Sequence, residues 1–399
     1  MLLKYIGKLI AVLLLTAAIG ILPCNGAAAA AEDVQYIRVG LLQNKQQVNI
    51  SADDDFVIKD LTQSKNYKFS KGKTVQISQK NGRIYVGGKA VQAQSVIAAV
   101  KNNAPVSVNG KKYRGALQIL RRGNGLTVVN RLQLDEYLYG VIPNEMPTDW
   151  NGEALKAQAI AARSYALYDK NDGKHAADGF DVCTTTDCQV YGGIASENAA
   201  ANRAVDATRG MVLTYQHAPI CAVFHTASGG STENSRDVWG ADVPYLKAVN
   251  DGAERSPYMN WSVRLSAAQL AQKISAQQGN IGTLKAIDTS HFKQKADAEA
   301  KYIRFIGSKK SVNMTGAQLR SLLNLKSSNV VLSAAEKGKT KSGSYIKLSQ
   351  SADIIIDGKG FGHRLGMSQW GAKSLADKGD NYRQILLHYY TDVQLESLY

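Results

Sequence analysis

The residue with the clearest capacity for acid–base chemistry is Glu145, in the segment Pro143–Pro147 (PNEMP). Two prolines bracket Glu145, and proline disfavours regular helix around it. An alanine-rich helix is predicted to follow over about 151–168, and its small side chains allow close packing on several sides. A carboxyl group beside a buried helix would be partly desolvated, which raises its pKa and suits it to general acid catalysis. A solvated loop glutamate or a helix-capping carboxylate is the alternative interpretation.

Three further groups of polar residues are candidates for binding a ligand. The first lies on the helix after Glu145. The second is the turn His225–Thr232, whose N–H groups and hydroxyls we expect to be free for a polyhydroxyl ligand, although an ordinary Gly-Gly turn fits equally. The third is Gly360–Gly371, whose glycines allow close backbone approach and whose histidine is alternatively structural. The candidates are Gln158, Arg163, Tyr165, His225, Ser228, Gly229, Gly230, His363, Ser368 and Gln369.

Cysteine is sparse, which excludes a disulfide-rich scaffold. Cys183, Cys188 and Cys221 remain once the N-terminal leader is removed, so at least one thiol is left over. For Cys183 and Cys188 we favour a disulfide or plain structural cysteines, because the chain is predicted to be exported. A metal would need two further ligands, and only His175 is a good one nearby. We therefore expect no cofactor, with a structural zinc near Cys183 and Cys188 as the less favoured alternative.

The N-terminus and the charge indicate where the protein works. Residues 1–31 follow the plan of a signal peptide: two lysines, a short apolar run, a proline and an alanine stretch. An uncleaved anchor that holds the rest outside the membrane is the alternative. The net charge of +15 implies an anionic partner. For an exported protein this favours anionic wall polymers or membrane surfaces over nucleic acid, whereas a merely soluble basic surface explains the charge equally well.

The order of predicted elements indicates an α+β fold, with segregated strands and helices in a single large domain after the leader. Residues 34–130 form a β-rich N-terminal part, although 94–101 also fits a short helix. Residues 131–399 form the core, with a less legible insert over 264–345. Further helices are predicted at 195–208, 266–277, 315–325, 368–378 and 382–390, and strands at 211–215, 220–225 and 345–356. No zinc-hydrolase, nucleotide-binding or serine-hydrolase motif occurs.

Read together, these segments resemble the stage II sporulation protein D and amidase-enhancer domain family. The resemblance covers nearly all of the chain after the leader, in the expected order. Weaker blocks match at 108–115 and 314–327. The strong blocks are Tyr137–Leu167 (YLYGVIPNEMPTDWNGEALKAQAIAARSYAL), Asp181–Gly193 (DVCTTTDCQVYGG), Phe224–Gly240 (FHTASGGSTENSRDVWG) and Gly358–Gly379 (GKGFGHRLGMSQWGAKSLADKG).

The resemblance implies a peptidoglycan lytic transglycosylase that cuts glycan strands stripped of their stem peptides, with Glu145 as the catalytic acid. Other members, the amidase enhancers, modulate a separate cell-wall amidase and are the alternative. Some members bind zinc through Cys and His residues near the segment that matches Cys183–Cys188. Asp187 stands where such members tend to carry histidine, and Arg364 stands where glycine is common.

The implied reaction needs only one carboxyl group. Glu145 would protonate the oxygen between N-acetylmuramic acid and N-acetylglucosamine. As a carboxylate it would then take the proton of the muramyl C6 hydroxyl, which closes a 1,6-anhydro ring. The usual paired-carboxylate glycosidases instead need a second carboxylate. A third interpretation, a basic wall-anchoring module without activity, predicts salt-sensitive wall binding.

Overall fold

The computed structural model describes residues 35–292 and 301–399. The predicted signal peptide lies outside these residues. The α+β fold is confirmed: the β-rich N-terminal part precedes a region of mixed helices and short sheets. Within the described ranges, no helix combines the length and the apolar composition that a membrane crossing requires.

Two sheets build the N-terminal part, and their strands are antiparallel except for one short parallel pair at an edge of the larger sheet. One has the order β13-β1-β12-β11-β8-β3-β4 and the other β10-β9-β2-β5-β6-β7. Buried and exposed residues alternate along most strands, as expected where one face of a sheet meets the core. The strands are β1 Tyr36–Lys45, β2 Gln47–Ala52, β3 Phe56–Asp60, β4 Lys65–Phe69, β5 Val75–Lys80, β6 Arg83–Val86, β7 Lys89–Val91, β8 Ser95–Val100, β9 Val106–Val108, β10 Lys111–Tyr113, β11 Ala116–Arg122, β12 Gly125–Gln133 and β13 Val182–Cys183.

The long helix α3, Gly152–Asp172, organises the rest of the main core. Asn151 caps its start by accepting a hydrogen bond from the Glu153 N–H, and Gly173 ends it at a φ of +73°. Its alanines are buried on several faces, as predicted. The other helices are α1 Leu134–Tyr139, α2 Ile142–Glu145, α4 Ala199–Asp206, α5 Ser235–Trp239, α6 Ala267–Gln278, α7 Gly316–Leu323, α8 Gln369–Asp377 and α9 Tyr382–Tyr389, with 3₁₀ turns at Ala176–Asp178, Gly193–Ser196 and Ser290–Phe292.

The described buried apolar residues form two hydrophobic cores. The larger joins the N-terminal sheets to α3 and the C-terminal helices. The smaller core is formed by residues between 267 and 356, a range that includes much of the predicted insert. The remaining strands are β14 Met211–Tyr215, β15 Ala218–Pro219, β16 Phe224–His225, β17 Trp261–Ser266, β18 Leu284–Asp288, β19 Tyr302–Gly307, β20 Ser311–Thr315, β21 Asn329–Glu336, β22 Lys339–Ser342, β23 Tyr345–Lys347, β24 Asp353–Lys359, β25 Met367–Ser368 and β26 Gln394–Ser397.

Most predicted elements are confirmed to within a few residues, but two expectations were wrong. Of the two alternatives for residues 94–101 the strand is confirmed: Ser95–Val100 form β8, in which Val96 and Ala98 alternate with less buried neighbours. The expected strand over 220–225 is reduced to β16, which pairs in parallel with β25. Glu145 ends a single helical turn rather than lying outside helix. Pro143 does not prevent that turn, because a first-turn residue needs no intrahelical N–H donor.

Candidate functional site

Glu145 lines a cavity of about 330 Å³, within the range of small-molecule sites. The described lining residues include one carboxyl group, one phenol, one thiol and one imidazole. Two aromatic side chains and two smaller residues complete the wall. The eight lining residues are Glu145, Tyr165, Thr186, Cys188, Val223, Phe224, Trp239 and His363.

The environment of Glu145 is that of a general acid. Its Oε1 accepts a hydrogen bond of 3.1 Å from the Val190 N–H. Burial raises the pKa of Glu145 above 4.5, and the Val190 hydrogen bond opposes this without cancelling it. A carboxyl group that stays protonated to higher pH can donate a proton. The same N–H then stabilises the carboxylate that is left.

Tyr165 and His363 are the predicted binding residues that the structure brings together with Glu145. Tyr165 lies on α3 and faces the cavity, and burial raises the pKa of its hydroxyl, which keeps the phenol neutral. His363 accepts a hydrogen bond of 3.1 Å at Nδ1 from the Leu365 N–H. Burial lowers the pKa of His363 to about 4, so the imidazole is neutral at neutral pH. Both side chains are therefore neutral beside Glu145 and do not compete for the acid's role.

Gln158 and Arg163 lie in the core, away from the lining residues. Arg163 is 0% exposed and pairs with Asp135 at 2.7 Å. Arg163 also donates to the Val205 and Met211 carbonyl oxygens. Gln158 is equally buried, and within the described residues its amide group has no hydrogen-bonding partner. The positioning role predicted for Arg163 is therefore at odds with its place in the structure.

The turn at Ser228–Gly230 does not offer the free donors that the sequence suggested. The Ser228 N–H and hydroxyl both donate to Glu254 at 2.6 Å, and the Gly229 N–H donates to the same carboxylate at 3.3 Å. The Gly230 N–H donates to the Ser228 hydroxyl. Buried Glu254 thus occupies the turn, so these groups hold the fold together rather than await a ligand.

The remaining candidates are buried and are not among the described lining residues of the cavity. The Ser368 hydroxyl donates to Glu254 at 2.9 Å and accepts from the Gly371 N–H at the start of α8. Gln369 is buried as the first residue of that helix. His225 follows Phe224 on β16, so the two side chains point to opposite faces. The His225 Nδ1 lies 3.0 Å from the Leu365 carbonyl, and burial holds the pKa of His225 well below 6.5.

Arg364 stands where glycine is common in the family that the sequence resembles. Its hydrogen bonds explain how this chain tolerates the larger residue there. Its φ of +66° lies in the left-handed region that favours glycine. The buried guanidinium donates to the Ser228 and Ser231 carbonyl oxygens and to Glu233 at 2.6 Å. These bonds tie the Ser228–Glu233 segment to the glycine-rich loop and offset the backbone strain.

Cys183 and Cys188 lie in a cluster of potential metal ligands, which was the less favoured alternative from the sequence. The potential ligand atoms of His175, Cys183, Asp187 and Cys188 all lie within 4.8 Å of one another. Both thiols are free, with Sγ atoms 3.1 Å apart, so of the two favoured alternatives, a disulfide or plain structural cysteines, the disulfide is not formed. Tetrahedral zinc, with bonds of about 2.0–2.3 Å to N, O and S, holds donors at comparable separations. The donor set therefore fits zinc, and Asp187 completes it where the sequence suggested a poor ligand.

Sequence reasoning missed Thr186, Val223, Phe224 and Trp239 as lining residues, and it considered Cys188 only as a structural or metal-binding residue. Trp239 is 47% exposed at the end of the short helix α5. Asp-Val-Trp-Gly within the Phe224–Gly240 block was the available signal, because an aromatic residue before a helix-ending glycine is well placed at a surface.

Comparisons with known proteins show which family this chain belongs to. A family model described as stage II sporulation protein matches residues 122–215. Stage II sporulation protein D of Bacillus amyloliquefaciens is 33% identical over 284 residues, which cover 67% of this chain and 75% of that protein. The chain belongs to the stage II sporulation protein D family.

Two other relatives align with most of the chain. The amidase enhancer of Bacillus subtilis (strain 168) is 32% identical over 88% of this chain, but the match spans only 52% of that longer protein. An uncharacterised protein of Brachyspira hyodysenteriae is 30% identical over 88% of this chain and 91% of its own length. The resemblance inferred from the sequence blocks is thereby confirmed.

Proposed function

We propose that this protein is an exported peptidoglycan lytic transglycosylase that acts in cell-wall remodelling such as sporulation engulfment. It cleaves MurNAc–GlcNAc bonds in peptide-stripped glycan strands. The observation that carries the proposal is the cavity itself. Among its described lining residues, one carboxyl group, Glu145, has a raised pKa and lies beside neutral hydrogen-bonding side chains. This arrangement suits a reaction with one group acting first as acid and then as base.

The proposed reaction balances without water. Glu145 donates its proton to the glycosidic oxygen, and the GlcNAc hydroxyl leaves as the C1–O bond breaks. The muramyl C6 hydroxyl then attacks C1 and gives its proton to the Glu145 carboxylate, which restores the acid. Tyr165 and His363 are proposed to hold the muramyl ring so that O6 reaches C1.

The product assay tests this function directly. Purified protein is incubated with peptide-stripped glycan strands, and the products are analysed by mass spectrometry. We expect 1,6-anhydro-muramyl ends, which weigh 18 Da less than hydrolytic ends because no water is added. Hydrolytic ends alone, or no cleavage, would refute the transglycosylase proposal.

A second candidate function is the enhancement of a separate cell-wall amidase. The 32% identity to the Bacillus subtilis amidase enhancer favours it. This function requires binding to glycan or to the amidase, but no turnover by Glu145. It predicts that amidase activity rises in the presence of the protein and that Glu145→Gln leaves the rise intact.

The proposed acid role of Glu145 predicts a pH dependence. The active form is the protonated acid, so the rate should fall as the pH rises through the raised pKa of Glu145. The pKa values of His225 and His363 are lowered, so both are already neutral in that range. The initial rate of product release, measured as a function of pH, tests this expected fall in rate. A midpoint at or below 4.5 would contradict the raised pKa.

Trp239 is expected to bind a sugar ring by stacking. Its exposed indole lies in the cavity wall, and the C–H face of a pyranose packs well on a flat apolar surface. Trp239→Ala should weaken the binding of stripped glycan by about tenfold or more. Tyr345→Ala removes a comparably exposed aromatic from β23 and should leave binding unchanged. Isothermal titration calorimetry on the two variants compares them, and equal affinities would exclude the stacking role.

We also propose a structural zinc held by His175, Cys183, Asp187 and Cys188. When bound, such an ion cross-links the Cys183–Cys188 loop, two residues before the N–H that holds Glu145. We expect about one zinc per chain by elemental analysis, as for a four-ligand site. Cys188→Ser should lose the metal and lower the melting temperature, whereas Cys221→Ser should keep both. Metal-free protein with an unchanged melting temperature on chelation would rule out this site.

A further inference from the structure

Arg320 lies on α7 with its side chain directed to the glycine-rich loop beside the cavity. Its Nε donates to the Lys326 carbonyl oxygen at 3.3 Å. The same oxygen accepts a hydrogen bond of 2.8 Å from the Gly362 N–H. Gly362 directly precedes His363, a lining residue of the Glu145 cavity. The shared carbonyl thus fixes the guanidinium close to that cavity.

The charge of Arg320 has no carboxylate partner within the described residues. Other buried or half-buried arginines are paired: Arg163 with Asp135, Arg364 with Glu233 and Arg114 with Glu197. Burial lowers the pKa of Arg320, and no acidic group offsets this. The Arg320 charge is near enough to His363 to contribute to the lowered pKa of that imidazole. A partly desolvated guanidinium without a counter-ion is a good site for an anion.

A second positive charge lies nearby. Lys326 is exposed, and its Nζ lies 5.7 Å from the centre of the Tyr258 ring. Tyr258 in turn packs against Phe361, two residues from His363, with ring centres 5.0 Å apart. Two cations and an aromatic surface therefore lie around the glycine-rich loop next to the cavity. Both features suit a sugar that carries a carboxylate.

We propose that Arg320 binds the free lactyl carboxylate of a muramyl residue and so selects peptide-stripped strands. This inference rests on the proposed function. In a stripped strand each muramyl lactyl group ends in a carboxylate, which the planar guanidinium can bind through two parallel hydrogen bonds. A stem peptide converts that group into an uncharged amide, which cannot form the charged pair. Arg320 is thus a specificity-determining residue outside the catalytic carboxyl group.

A binding experiment with two matched oligosaccharides tests the inference. Glu145→Gln protein, which should not turn over, is titrated with a stripped glycan oligosaccharide and with its lactyl methylamide derivative. We expect the free acid to bind about 10- to 100-fold more tightly than the amide. Adding Arg320→Gln should abolish most of this preference. Arg320→Lys should retain part of it, because lysine keeps the positive charge but cannot form the two parallel hydrogen bonds of a guanidinium. Arg304→Gln removes an exposed arginine from β19 and should keep the full preference.

The outcomes are distinguishable. Equal binding of acid and amide by the Glu145→Gln protein, or an equal loss for both when Arg320→Gln is added, overturns the role of Arg320 alone. Binding of neither oligosaccharide overturns the proposed function together with this inference. The acid-to-amide ratio is measured within one variant, so a general loss of folded protein does not imitate the expected result.

Discussion

Glu145→Gln is expected to lower the rate of 1,6-anhydro-muramyl product release by about 10²- to 10⁴-fold, the usual contribution of a positioned general acid. Glutamine retains the shape of the side chain and an oxygen that can accept the Val190 N–H. It has no acidic proton to transfer to the glycosidic oxygen and is too weak a base to accept one from the C6 hydroxyl. Both halves of the proposed reaction therefore fail together. Initial rates, followed by mass spectrometry of released ends, give the ratio.

The control for this variant is Asp149→Asn, which neutralises an exposed carboxylate four residues further along the chain. Its rate should equal that of the wild type. Glu145→Gln should not lower the melting temperature, since the neutral amide avoids the cost of burying a charge. An unchanged rate in Glu145→Gln would remove Glu145 from the chemistry. A parallel loss of rate in Asp149→Asn would point to a general electrostatic effect instead.

The fold was largely predictable because its elements have strong local patterns. Runs rich in Val, Ile and Tyr between turn signals predict strands, and an alanine-rich run predicts α3. The expectation that the two prolines disfavour helix around Glu145 was wrong in detail, because a proline in the first turn of a helix loses no hydrogen bond.

The site was only partly predictable, because a motif does not say which of its polar groups are already used. Ser228 looked free, but its donors bind Glu254, an acid from a segment without a recognised motif. His225 and Phe224 are adjacent, yet only Phe224 lines the cavity, because strand residues alternate between faces. Trp239 was missed for the opposite reason. Its exposure, which suits it to stacking on a sugar ring, depends on tertiary packing that a motif does not show.

Arg163 is the clearest case in which burial changes the interpretation, and it leads to the largest expected effect on stability. Arg163→Met is expected to lower the free energy of unfolding by about 3–5 kcal/mol. Asp135, itself 5% exposed, would keep a buried charge without its partner. The Val205 and Met211 carbonyl oxygens would also lose a donor. Urea denaturation followed by circular dichroism measures the change.

The double variant Asp135→Leu/Arg163→Met separates this structural role from a role in the site. With both charges replaced by apolar side chains, no unpaired charge remains, and most of the lost stability should return. The Tyr399 hydroxyl, which donates to Asp135 at 2.9 Å, would then be the group left without its acceptor and would limit the recovery. If Arg163→Met instead kept full stability but weakened glycan binding, Arg163 would be a positioning residue, as the sequence first indicated.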